Sequence, residues 1–136
     1  MTHTLDEVRQ IAADLIDRYS PDFTYQKDGD YCVYYRESGA PSCFVGHVID
    51  QWGEPFVIET AKWADAIQRQ DKGGKSAAQV LGRGGCDIEP LAVRYLDAFQ
   101  DWQDSGFTWG EAMLHAEHEV GLHAEHTVGC RDCEAE

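Results

Sequence analysis

Asp87-Ile-Glu-Pro-Leu-Ala-Val-Arg-Tyr-Leu-Asp-Ala-Phe-Gln-Asp-Trp-Gln-Asp-Ser-Gly-Phe-Thr-Trp-Gly-Glu111 decides the fold class. Its apolar residues recur at helical spacing. Leu91, Ala92, Tyr95, Ala98, Phe99 and Trp102 fall on one face, and Val93, Asp97, Asp101 and Asp104 on the other. Gly106 stops this helix, which starts near Asp87. Thr108 and Glu111 form a capping box, in which the hydroxyl and the carboxylate satisfy each other's backbone N–H groups. They open a further helix with Trp109, Ala112, Met113, Ala116, Val120 and Ala124 as its buried stripe. One glycine between two amphipathic helices predicts an antiparallel pair with Trp102 and Trp109 both largely buried.

Working outward, Thr4 and Glu7 make another capping box. Leu5, Val8, Ile11, Ala12, Leu15, Ile16 and Tyr19 share one face of a helix that Ser20-Pro21 ends. The period then changes. Phe23 to Tyr25 and Tyr31 to Arg36 are rich in aromatic and β-branched residues around Lys27-Asp28-Gly29-Asp30. That pattern predicts a small hairpin with a tight turn at Asp28-Gly29, packed on helices because a hairpin alone is marginal. A second turn falls at Glu37 to Ala40. Ser42 is the expected N-cap of a helix with Phe44, Val45, Val48, Ile49 and Trp52 on its apolar arc, ended by Gly53. Another helix covers about Phe56 to Arg69. Asp71 to Gly85 holds five glycines and reads as a loop, broken by one helical turn at Ser76 to Leu81. The expectation is a mainly α fold with a small β-hairpin (α+β), about five helices around one core. Residues 1–126 form a single globular domain, and 127–136 a polar tail that is either frayed or ordered by metal.

Composition narrows the function. The chain has 136 residues, 43% of them apolar and 26% charged, a globular balance. Eleven basic residues against 25 acidic ones leave a net charge of −14. Direct binding to nucleic acid is therefore not expected, because phosphate is neutralised by Lys and Arg. No apolar run is long enough to span a bilayer, and the first residues lack the basic and apolar regions of a secretory signal. Five cysteines, Cys32, Cys43, Cys86, Cys130 and Cys133, lack the even count of a disulfide framework. A reduced, cytoplasmic protein is the expectation.

Two stretches carry a family resemblance. Tyr31-Cys32-Val33-Tyr34, with Pro41-Ser42-Cys43-Phe44-Val45-Gly46-His47-Val48, is one. Gln100-Asp101-Trp102-Gln103-Asp104-Ser105-Gly106, leading into Thr108-Trp109-Gly110-Glu111-Ala112, is the other. Together they resemble uncharacterised small proteins of actinobacteria and actinobacteriophages. The likeness covers residues 30 to 113 and implies a genetic setting and a host-directed binding role, with no activity attached.

Four groups of residues carry candidate chemistry. Gly74-Lys75-Ser76 is similar to the end of a phosphate-binding loop. The position of that motif's first glycine is Arg69, and helix precedes it where a strand is needed, so nucleotide binding is not expected. Cys43, in the first turn of its helix, and His47, four residues on, have the spacing of a nucleophile and its base. No third residue evidently orients them, and Cys is also a common buried filler. Cys32, Cys43, His47 and distant Cys86 form a further arrangement of metal-ligand types. In the tail, His123, His126, Cys130 and Cys133 make a Cys₂His₂ set able to hold zinc.

Finally, Asp97, Asp101 and Asp104 form an acidic stripe suited to a partner protein with a basic surface. From Gly84 onward the local net charge is −10. The leading expectation is a non-enzymatic, cytoplasmic protein-binding module that needs no cofactor. A zinc module built on the tail and a small enzyme using Cys43 are the alternatives.

Overall fold

Six helices are present among the described residues of the computed structural model, which cover 2–25, 33–70 and 75–125, the last four as backbone only. They are α1 (Leu5–Tyr19), α2 (Phe44–Trp52), α3 (Pro55–Arg69), α4 (Ala77–Arg83), α5 (Pro90–Asp104) and α6 (Trp109–Glu125). Two expectations are corrected here. Among the described residues the helix count is six, not five, because Ser76 to Leu81 opens a helix of its own. Ser76 Oγ accepts the Gln79 N–H while Gln79 Oε1 accepts the Ser76 N–H, a complete capping box.

The second correction is that the described residues are all-helical, with no β-hairpin among them. Among the described residues only isolated bridges occur. The backbone groups that a hairpin would pair are engaged elsewhere. Thr24 bridges Thr108, and the Phe23 and Pro21 carbonyls accept the Trp109 and Gly110 N–H groups at the start of α6. Tyr34 and Tyr35 donate their backbone N–H groups to the two oxygens of Asp65 on α3, both at 2.8 Å. The Val33 N–H and carbonyl both meet the Tyr25 hydroxyl, so a side chain spans the two segments where ladder bonds were expected. The turn expected at Asp28-Gly29, with Tyr31 and Cys32, lies outside the described residues.

The largest helix contact is between α5 and α6, which run antiparallel about a turn with Gly106 at φ +97°. Trp102 faces His115, and Arg94, further from the turn, faces Glu119. Trp109 is fully buried in this seam. Trp102 is only half-buried: its ring lies flat on His115, 3.4 Å between centroids, at the edge of the pair. Phe44 of α2 stacks on Phe99 of α5 at 3.7 Å, and Trp109 meets both edge-on. Burying each such ring contributes about 1.5–3 kcal/mol. Arg9 on α1 grips Glu117 on α6 through two nitrogens at 2.8–3.1 Å.

The segments 33–48 and 100–112 pack on each other. A Cβ at Gly46 would stand 2.1 Å from the Tyr34 carbonyl oxygen, so only glycine lets α2 approach the Tyr34 loop this closely. From the second stretch, the buried Gln103 accepts the Phe44 N–H at 2.8 Å and the Trp109 indole N–H at 3.1 Å.

Candidate functional site

The acidic stripe of α5 lines a trough. Two adjoining depressions of about 260 and 300 Å³ share Asp97 and Asp101. The first also has Lys75, Gln100 and Asp104 in its wall, and the second Arg94, Trp102 and Glu119. Four carboxylates thus face two cations, and Arg94 is already drawn to Glu119 at 3.7 Å. The three aspartates are not equivalent. Asp97 is half-buried and caps α4 by accepting the Ala78 N–H at 3.2 Å. Asp104 is half-buried and accepts the Gln103 amide at 2.7 Å. Asp101 is exposed, and its carboxylate has no partner among the described residues. Spacing on a helical wheel could not separate these roles. The floor is fixed by the buried Tyr34, whose hydroxyl donates to the Lys75 carbonyl at 2.5 Å.

Cys43 and His47 are adjacent without forming a nucleophile–base pair. Cys43, not Ser42, is the N-cap of α2, and its Sγ accepts the Gly46 N–H at 3.3 Å. Burial pushes its thiol well above the usual cysteine range. His47 turns its Nδ1 to the Cys43 carbonyl at 2.9 Å and its Nε2 to the Tyr19 hydroxyl at 3.2 Å. Neither ring nitrogen is engaged with the sulfur. Cys32 lies outside the described residues, and Cys86 stands in a different group from Cys43, so the arrangement through Cys43, His47 and Cys86 is not assembled there.

In the tail, His126, Cys130 and Cys133 lie outside the described residues, and His123 is described as backbone of α6 only. Upstream of them, His115 is held against Trp102, while His118 is exposed.

A constellation the sequence reading missed gathers around His3. The His3 backbone sits beside Ile88 in a parallel bridge, with its N–H on the Asp87 carbonyl and its carbonyl on the Glu89 N–H. Its ring lies on Trp52, 3.8 Å between centroids and 13° between planes. Nδ1 meets Glu7 at 2.6 Å, and Nε2 is hydrogen-bonded to Glu54. Burial lowers the His3 pKa, but the hydrogen bonds and charges of Glu54 and Glu7 outweigh it and leave it raised. Cys86 completes the group: the ligand atoms of His3, Glu54 and Cys86 all lie within 4.8 Å of one another. These residues come from the start of α1, the α2–α3 junction and the α4–α5 connection, so no local motif joins them. The only local trace is the i, i+4 spacing of His3 and Glu7.

No protein-family model matches the chain, and comparison with curated proteins and with solved structures finds no match. Among the described residues no helix is long and apolar enough to cross a membrane.

Proposed function

We propose that the chain is a non-enzymatic protein-binding module of the cytoplasm, which takes a basic side chain of a partner protein in the acid-lined trough on α5. The observation that carries this reading is Asp101. It is an exposed carboxylate at the junction of the two depressions, without a side-chain partner among the described residues and flanked by Asp97 and Asp104. Carboxylates held on a rigid helix at this spacing suit a Lys or Arg head. Such surface charges chiefly set on-rate and specificity. The net charge of −14 adds long-range attraction for a basic surface. The buried thiol of Cys43, with His47 engaged elsewhere, also favours a binding role over catalysis by that pair.

The likeness to actinobacterial and phage proteins makes an actinobacterial lysate the place to seek the partner. Capture at low salt, followed by zero-length coupling of carboxylates to lysines, should join Asp101 and Asp104 to one partner's lysines. In a D101N variant, capture should fall several-fold with melting temperature unchanged, and added salt should mimic the loss. Asp97 and Asp104 are kept because they cap α4 and hold the buried Gln103 amide. Undiminished capture by the variant at low salt would overturn the reading, as would crosslinks confined to other faces.

A further inference from the structure

We infer that His3, Glu54 and Cys86 form a binding site for a divalent transition metal of the zinc class, clamping the start of α1 to the α2–α3 and α4–α5 connections. The donor set is one imidazole nitrogen, one thiol sulfur and one carboxylate oxygen. That mixture suits borderline-soft zinc and is poor for magnesium or calcium, which take oxygen ligands. Zinc with bonds of ~2.0–2.3 Å holds its tetrahedral ligand atoms roughly 3.5 Å apart. The three ligand atoms here, all within 4.8 Å, need only small side-chain shifts to reach that spacing.

The imidazole is already set as a ligand. Its plane is fixed by Trp52 and its backbone by Asp87 and Glu89. Nδ1 is engaged by the Glu7 carboxylate, which leaves Nε2 as the nitrogen directed toward Glu54 and Cys86. A carboxylate behind a histidine in this way fixes the ring and raises its basicity toward a metal. The surroundings favour a cation: the carboxylates of Glu7 and Glu54 both lie against the His3 ring, one on each nitrogen. A divalent ion placed there would stabilise the Cys86 thiolate directly. On binding, the Cys86 S–H and the His3 Nε2–H leave as protons, the ion sheds bound waters, and metal–sulfur, metal–nitrogen and metal–oxygen bonds to Cys86, His3 and Glu54 form in their place. No electron changes hands, and water fills the fourth position.

Cobalt(II) is the probe, because a thiolate bound to it gives a charge-transfer absorption band. The full-length chain is titrated as wild type, as C130S/C133S and as Cys86→Ser. The band should appear in wild type and in C130S/C133S and vanish in Cys86→Ser. Absence from wild type, or survival in Cys86→Ser, would overturn the assignment. Loss in C130S/C133S alone would move the metal to the tail and overturn it equally. Should Cys86→Ser fail to fold, alkylation of Cys86 in the C130S/C133S protein decides the matter. Zinc should slow it at least about tenfold by tying up the thiolate, and an unchanged rate would overturn the site. None of these readings depends on partner capture.

Discussion

Gln103 holds the start of α2 in place: its side-chain Oε1 accepts the backbone N–H of Phe44 at 2.8 Å. The same oxygen takes the Trp109 indole N–H at 3.1 Å, so one buried amide ties α2, α5 and α6 together. Its remaining amide group donates to Asp104, linking this core junction to the wall of the acidic trough.

Gln103→Met should therefore be costly despite its similar size. The substitution leaves a backbone N–H and an indole N–H buried without an acceptor, and each such loss costs about 1–3 kcal/mol. A destabilisation of about 2–4 kcal/mol is expected, measured as a fall in the urea midpoint at constant m-value. An unchanged midpoint would contradict the bridging role.

Asp65 performs a comparable task for the loop before α2. It is 1% exposed and accepts the Tyr34 and Tyr35 N–H groups, one on each carboxylate oxygen. Asp65→Ala should cost about 3 kcal/mol or more, because both donors lose a charged acceptor. Asp65→Asn keeps one carbonyl oxygen and should lose less. Thermal melts that rank the alanine variant as the more stable of the two would refute this account.

Much of the helical frame was legible in the sequence, and the reason is local. The stripe of α1 and the pair α5–α6 follow from 3.6-residue periodicity, from Thr4 as N-cap and from the Thr108–Glu111 box; at Thr4 only the hydroxyl half of the expected box forms, because the Glu7 carboxylate turns to His3. The Thr108 box is present, with Glu111 accepting the Thr108 N–H and the Thr108 hydroxyl accepting the Glu111 N–H. The hairpin failed because aromatic and β-branched content around Phe23 and Tyr34 reports burial, not pairing. Asp65, 30 residues further on, is what those backbone donors meet. Trp102 was expected inside with Trp109, yet a helical wheel cannot tell the centre of a seam from its rim. The His3 group was invisible for a similar reason: Glu54 is 51 residues away in the chain.

Tyr95 offers a test in the opposite direction. Its ring is fully buried, and its hydroxyl has no hydrogen-bond partner among the described residues. Burying an unpaired hydroxyl costs about 1–3 kcal/mol. Tyr95→Phe removes that group and keeps the packing, so it should leave the protein as stable or raise its stability by about 1 kcal/mol. A drop in melting temperature of several degrees would show that the hydroxyl is bonded in solution.

His47 makes stability depend on pH with a sign fixed by its surroundings. Burial, the largest influence, lowers its pKa from the ordinary 6.5. The Cys43 carbonyl pulls the other way, and the charge of Arg18 adds to the lowering. The contacts fit one neutral tautomer, with Nδ1–H donating to the Cys43 carbonyl and Nε2 accepting from the Tyr19 hydroxyl. Below 6.5 the unfolded chain takes up a proton that the folded chain still resists. The stabilising contribution is therefore complete above 6.5 and is lost as pH falls from there through the lower folded value. His3 carries the opposite sign, since its folded pKa is raised, so the wild-type profile alone mixes the two. The difference between wild type and His47→Gln isolates the effect. Urea unfolding at about pH 7.5 and about pH 5 should show the advantage of wild type over the variant shrinking on acidification. An advantage that stays constant or grows toward acid would mean that His47 is not held neutral in the folded protein.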